Sequence, residues 1–353
     1  MQRNEKKFKN QTIYIGIDVH KKSWEVYCLT ESGYGVRHSQ HAGSEELLAY
    51  LCRKFPGGRY LAVYESGFTG FSTYYSLYRC GIECIVTHAG DVPTTTYQEV
   101  MKSDRVDAEK LARTLKAGLL RPIRIHPEDR LDDRSVVRLR RRTQEDLSRH
   151  KVRIKFHLHS NGVDIPPEYN TKGRQWSREF VDWLRHGVSL PGKSRVALDL
   201  LISQYESCRE QLRLCEKETV RLSRTDRYSS SYSLLRTIPG VGHKVCMTLL
   251  TEIPDFSVFP NEKCFASYVG LVPMRRSSGE KDPDCAMTFR GSKHLCPMFI
   301  EAGWVAVSRS PSLSADYVRY CQRMKRQQAI VRIARKLANI VFAVMKNGVE
   351  YEE

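Results

Sequence analysis

The chain has 353 residues, enough for two or three compact domains, and 41% of them are apolar, so packed cores can form. Its net charge of +17 calls for a polyanion, nucleic acid in the first place. An anionic membrane surface fits less well, because no strongly amphipathic basic terminal helix is expected from the sequence. With no apolar run of about 18 residues and a polar, basic start, neither a membrane span nor a signal peptide is expected, and the expected location is the cytoplasm. The eleven cysteines, scattered without CxxC pairs, argue against a disulfide framework and a structural zinc site.

In chain order, Thr12 to Thr30 holds two β-rich runs around a tight polar turn, a predicted hairpin. Ser44 is expected to cap a helix that buries Leu47, Leu48 and Leu51. Tyr60 to Tyr64 is a strand ending at Glu65, Phe71 to Arg79 a helix stopped near Gly81, and Ile82 to Thr87 a further strand. Ser103 is expected to cap a helix running through Leu115. Hairpin, helix, strand, helix, strand, helix is an α/β order, with the strands feeding one sheet.

From Arg130 to about Asn161 the pattern turns helical and strongly basic, with Arg138, Arg140, Arg141, Arg142, Arg149, Lys151, Arg153 and Lys155 as candidate phosphate contacts. Residues 166 to 193, rich in proline and glycine, read as an irregular connection. Residues 196 to 224 carry Leu198, Leu201, Ile202, Tyr205, Cys208, Leu212 and Cys215 at spacings of three and four. That is a long amphipathic helix: either a coiled coil that joins copies of the chain, or a helix packed on its own chain. A helical unit begins near Tyr232. Its Ile238-Pro239-Gly240-Val241-Gly242 turn suits a helix-hairpin-helix that offers backbone N–H groups to a phosphate. Domains are expected at 10–128, 129–228 and 229–349.

Four acids stand out by position: Asp18 near a strand end, Glu65 after a second strand, and Asp104 and Asp107 three apart at a helix start. Converging carboxylates repel unless a cation lies between them. Hard oxygen donors select Mg²⁺ or Mn²⁺, and two such ions would clamp a phosphodiester. Taken singly, each has a structural reading: Asp18 as a turn residue, Asp104 as a first-turn acid favoured by the helix dipole.

Ile15-Gly16-Ile17-Asp18-Val19-His20-Lys21, Tyr64-Glu65-Ser66-Gly67 and Lys102-Ser103-Asp104-Arg105-Val106-Asp107-Ala108 resemble, in order, the DEDD transposases of the insertion sequence 110 (IS110) family, which includes the Piv-type invertases. Ile238 to Gly242, Phe265 to Pro273 and Arg276-Ser277-Ser278-Gly279 resemble its C-terminal transposase domain. The resemblance implies an α/β plus α chain: an N-terminal RuvC-like domain of ribonuclease-H fold, a long helical or coiled-coil linker, and a mainly helical C-terminal domain. It implies Asp18, Glu65, Asp104 and Asp107 as metal ligands and Ser278 as nucleophile. Arg275 and Arg276 would then steady the phosphate. It further implies DNA as substrate, a guide (bridge) RNA encoded by the element, and assembly into dimers and tetramers. The chain departs from the family at Thr288-Phe289-Arg290-Gly291-Ser292, where a Thr-Lys-x-Gly-Asn element is usual, leaving Arg290 and Lys293 as substitutes; Ser103 stands where threonine is common.

Three other readings remain. A metal-only nuclease of the Holliday-junction-resolvase kind needs the carboxylates but no serine. An actin-like ATPase also opens on Gly-Ile-Asp, but it needs a second glycine-rich phosphate loop that this chain lacks. A non-enzymatic DNA-binding protein has no use for four acids that repel phosphate.

Overall fold

The computed structural model describes residues 8–93, 104–171, 173–273 and 291–353, without the side chains of 104 and 105. The chain divides into two compact units, residues 1–125 and 126–353.

The first unit is built on a five-stranded sheet. Its strands are β1 (Thr12–Val19), β2 (Ser23–Leu29), β3 (Gly35–His41), β4 (Arg59–Glu65) and β5 (Glu83–Thr87), in the order β3-β2-β1-β4-β5. β1 and β2 form the expected antiparallel hairpin, with Gly16 opposite Tyr27. β3 extends it at the edge and was not foreseen, because its run Gly35-Val36-Arg37-His38-Ser39-Gln40-His41 is too polar to read as a strand. β4 lies parallel to β1, and β5 parallel to β4. Ile13, Ile15 and Ile17 point to one face and are fully buried with Leu47, Leu51 and Leu77 of helices α1 (Ser44–Lys54) and α2 (Ser72–Arg79). Ser44 is not the cap expected of it. Gly43 is the N-cap, with extended backbone, and Ser44 is buried in the first turn.

The other face of β1 carries Tyr14, Gly16 and Asp18, and α3 (Asp104–Lys116) lies against it. A Cβ on Gly16 would stand 2.0 Å from the Ala108 carbonyl oxygen and 2.6 Å from the Ala112 nitrogen. Only a residue without a side chain lets the helix come this close. Lys116 donates to the Thr30 carbonyl at the far end of β2, so α3 runs antiparallel to β1. Its first turn therefore lies level with the end of β1.

The second unit is helical. α4 (Glu128–Ser160) runs antiparallel to α6 (Gly192–Ser223): Arg140 meets Glu216, Cys208 the Thr143 carbonyl, and His157 the Ser194 carbonyl. The apolar stripe of α6 is intrachain core. Leu198, Ile202, Tyr205, Cys208 and Leu212 are buried with Leu147, Ile154 and Leu158 of α4. This corrects the coiled-coil reading: residues that cover the chain's own helix are unavailable for joining copies. The connection expected to be irregular contains α5 (Arg178–Asp182) and a wide turn over Trp183–Gly187, whose Phe180 and Leu184 are fully buried against this hairpin.

α4 also contributes Val137 to a second core. That core is formed by α7 (Ser229–Arg236), α8 (His243–Glu252), α9 (Glu262–Val269), α10 (Leu295–Val307), α11 (Pro311–Cys321) and α12 (Arg326–Asn347). α7 and α8 flank the expected glycine turn. Gly240, at φ +84°, faces inward, where a Cβ would meet the Ala302 carbonyl oxygen at 2.6 Å. No helix among the described residues is long and apolar enough to cross a membrane.

Two outcomes follow. Gly16→Val should unfold the first unit or lower its Tm sharply, since overpacking typically costs about 1–3 kcal/mol and the obstacle here is backbone. Thermal unfolding followed by circular dichroism checks it, and a wild-type Tm would refute the close approach. Leu212→Ala should destabilise the second unit by about 2–5 kcal/mol in urea titrations while leaving the sedimentation behaviour of the folded fraction unchanged.

Candidate metal centre and serine segment

Asp18, one residue short of the end of β1, and Glu65, the last residue of β4, lie on adjacent parallel strands. The parallel register pairs Ile17 with Tyr64, and its continuation by one residue sets Asp18 beside Glu65. Alternation along a strand puts Asp18 on the face of Gly16, and Glu65 on the face of Val63, whose side chain packs against Leu111 and Leu115 of α3. Both carboxylates therefore belong to the face that α3 covers. Asp107, one residue before Ala108, is half-buried in the first turns of that helix. Asp104 opens α3, and its side chain lies outside the described residues.

One end of one sheet face thus collects Asp18, Glu65 and the start of α3. The donors are hard oxygens, which suits Mg²⁺ or Mn²⁺ in kind. Among the described residues, no three acidic, histidine or cysteine side chains stand close enough together to hold an ion. His20 stands beside Asp18 without being one of the candidate ligands expected from the sequence. Its Nε2 lies 3.1 Å from Asp18 Oδ2. The signal was available: Asp18-Val19-His20 spans two residues at a strand end, so both side chains project to one face.

Ser278, Arg275, Arg276 and Arg290, together with Ser103, lie outside the described residues. The chain on either side of 274–290 is described, and its two ends meet. A Cβ on Gly291 would stand 2.1 Å from the Gly270 Cα, so the two glycine backbones are in contact. Gly270 itself sits at φ +94° and closes α9. The Ser292 amide donates to the Tyr268 carbonyl at 3.1 Å, and Arg335 donates to the Leu271 carbonyl at 3.0 Å. Arg141 Nη1 donates to the Lys293 and His294 carbonyls at 3.1 and 3.2 Å.

Beneath this junction Glu252, 5% exposed, receives two hydrogen bonds from Arg138, at 2.7 and 2.8 Å. Burial alone would raise the Glu252 carboxyl; the Arg138 hydrogen bonds and the charges of Arg138 and Arg134 outweigh it and hold it below the usual range. Burial and the neighbouring arginines likewise lower His294, against the pull of Glu252.

The basic residues of α4 divide by partner. Arg138 and Arg141 are engaged as described, and Arg140 is largely buried and pairs with Glu216 at 3.0 Å. Arg149 pairs with Asp146, Lys151 lies over the Trp176 ring, and Lys155 donates to Gln175. Arg142 and Arg153 are exposed, with no ion pair among the described residues, and Lys293 is exposed.

Residues 15–161 match the DEDD transposase family of IS110, and residues 232–319 match the family described as transposase IS116/IS110/IS902. The chain belongs to the IS110 family of transposases. A Sinorhizobium fredii protein bearing a provisional transposase name is 25% identical, over 95% of this chain and 89% of its own. The transposase for insertion sequence element IS1533 of Leptospira borgpetersenii is 25% identical, over 70% of this chain and 72% of its own. The pilin gene-inverting protein of Moraxella bovis is 36% identical, over 34% and 38%. This IS110 transposase is therefore an enzyme of DNA strand cleavage and transfer.

The buried pair makes a pH prediction. Glu252 and His294 both have lowered values in the fold, so the unfolded chain binds more protons and stability rises with pH. The Glu252 contribution is complete above the unfolded value of about 4.3 and is lost as pH falls through the lower folded value. Glu252→Gln should be destabilised by about 3–5 kcal/mol near pH 7, because Arg138 loses its buried partner. Its Tm gap from wild type should shrink as pH falls below about 4; a constant gap would mean that the carboxylate charge is not the source.

Proposed function

We propose that this transposase cleaves and rejoins DNA through a carboxylate-held metal centre and a serine nucleophile, guided by an RNA encoded by its element. The observation carrying the reading is the shared face and shared end of Asp18 and Glu65, with the start of α3, which bears Asp104 and Asp107, laid against them through Gly16. A five-stranded sheet ordered 3-2-1-4-5, with only β2 antiparallel to both of its neighbours, supports a RuvC-like domain of ribonuclease-H type.

In this reading Asp18, Glu65, Asp104 and Asp107 hold Mg²⁺ or Mn²⁺, in all two ions. Bound there, the ions would polarise the phosphodiester and neutralise charge developing on it. Ser278 Oγ attacks phosphorus. The Oγ–P bond forms, the bond from phosphorus to the 3′-oxygen breaks, and the hydroxyl proton ends on the departing 3′-oxygen. The phosphoserine ester keeps the bond energy for rejoining, which runs the same exchange in reverse. Arg275, Arg276, Arg290 and Lys293 would steady the phosphate. Arg142 and Arg153 are the α4 cations best placed for phosphate, since Arg138, Arg140 and Arg141 are committed within the chain.

DNA is the substrate, as in the family. The guide RNA and the assembly of copies into dimers or tetramers belong to the same proposal and rest on the resemblance, while the cytoplasmic location and the three-part division at 128 and 228 rest on the composition and patterning of the chain. The pilin gene-inverting relative supports a recombinase able to invert DNA as well as to transpose it.

The test is mass spectrometry of trapped protein–DNA adducts after nuclease digestion. A nucleotide remnant on Ser278, abolished by Ser278→Ala with DNA binding retained, is the expected result. A remnant on Ser277, or cleaved DNA with no adduct, would favour the metal-only nuclease. Asp18→Ala and Glu65→Ala should each lose cleavage in Mg²⁺ by at least about 100-fold while keeping the wild-type Tm.

A further inference from the structure

The cations on α4 are largely spoken for, yet a second concentration of positive charge lies where α11 turns into α12. From Tyr317 to Asn347 the chain contains no acidic residue. Within that stretch stand Arg319, Arg323, Lys325, Arg326, Arg332, Arg335 and Lys336. Residues 320–353 also lie beyond the family matches, which end at 161 and 319.

The structure gathers this charge on one corner. Arg319 and Arg332, from the two helices, each place a guanidinium 5.8 Å from the centroid of the single Tyr320 ring. Arg332 and Lys336 are four apart on α12, opposite the buried Ile330, Ala334 and Leu337. Arg323, Lys325 and Arg326, around the turn between the helices, are exposed. The one acid here, Asp316, is shared by Arg319 and Lys336. Arg323, Lys325, Arg326 and Arg332 have no acidic partner among the described residues. Lys325 and Arg326 sit at the start of a 22-residue helix whose first turn has no acid, so they oppose its dipole as well as one another. Fold stability gains nothing from that clustering, whereas a polyanion relieves both repulsions at once.

We infer that the α11–α12 corner is a backbone-binding surface for nucleic acid, its ligand the phosphodiester chain of DNA or RNA, read without base specificity. Arg323, Lys325, Arg326 and Arg332 make the phosphate contacts, while Tyr320 holds Arg332 and Arg319 at their spacing. Contacts of this kind fix where the nucleic acid lies and leave sequence to other groups.

The experiment is a salt titration of binding by the full chain, using a random-sequence duplex DNA and, separately, a random-sequence single-stranded RNA. The variant is Arg323→Gln with Lys325→Gln and Arg326→Gln. Its control removes equal charge from exposed positions of the first unit, Arg53→Gln with Lys54→Gln and Arg121→Gln. The salt slope should fall by roughly 2–3, at about 0.9 per duplex phosphate contact and about 0.7 per single-strand contact, with the control nearly unchanged. A fall on duplex alone identifies DNA as the ligand, a fall on RNA alone identifies RNA, and a fall on both means that the corner accepts either backbone. Slopes that fall on neither, or fall equally in the control, overturn the proposal. Circular dichroism and Tm should match wild type, because all three side chains are exposed.

Discussion

The contact between Gly16 and α3 is the constraint on which the N-terminal arrangement depends. A strand and a helix normally stand apart by the thickness of their side chains. Here the Ala108 carbonyl and the Ala112 nitrogen occupy the space where a side chain on β1 would be. The approach has a directional result: the helix runs antiparallel to β1, so its start, carrying Asp104 and Asp107, comes to the strand end that carries Asp18. A larger residue at 16 would lift the helix and carry those acids away from the sheet. One small residue thereby couples packing to the position of charge.

In the second unit the comparable element is α4. It is long enough to enter two cores, through Val137 on one side and Leu147, Ile154 and Leu158 on the other. Its arginines bind the same two regions by charge: Arg140 to Glu216 of α6, Arg138 to the buried Glu252 of α8. Arg141 reaches the carbonyls just beyond the segment that contains Ser278, where Gly270 and Gly291 close together. The joined ends of that segment therefore rest on a charged, hydrogen-bonded base. A buried ion pair is a poor source of net stability, but it strongly penalises any displacement that separates its partners. That property suits a base whose purpose is fixed geometry.

Charge in this protein thus serves two ends. Arginines with carboxylates beside them hold helices in place, and arginines without them face solvent at the α11–α12 corner and at Arg142 and Arg153. The net charge of +17 counts both kinds alike. Burial and partners separate them.

Much was legible in the sequence because it is local. The β1–β2 hairpin, the strands ending near Glu65 and Thr87, and the helices over 244–252 and 262–269 follow from alternation, from three- and four-residue spacing, and from glycine stops. The order of the three acidic motifs and the serine motif was enough to identify the family, since motif order is a property of the chain alone. The tertiary structure decided what depends on neighbours. β3 is a strand because β2 offers it hydrogen bonds, despite a polar sequence. The stripe on α6 became core because α4 lies beside it; periodicity reports that a face is apolar and cannot name what covers it. Arg138, Arg140 and Arg141 looked like phosphate ligands until Glu252, Glu216 and the His294 carbonyl, all more than 70 residues away, were found beside them. Gly16 read as part of a motif, and only the helix packed upon it showed why that position excludes a side chain.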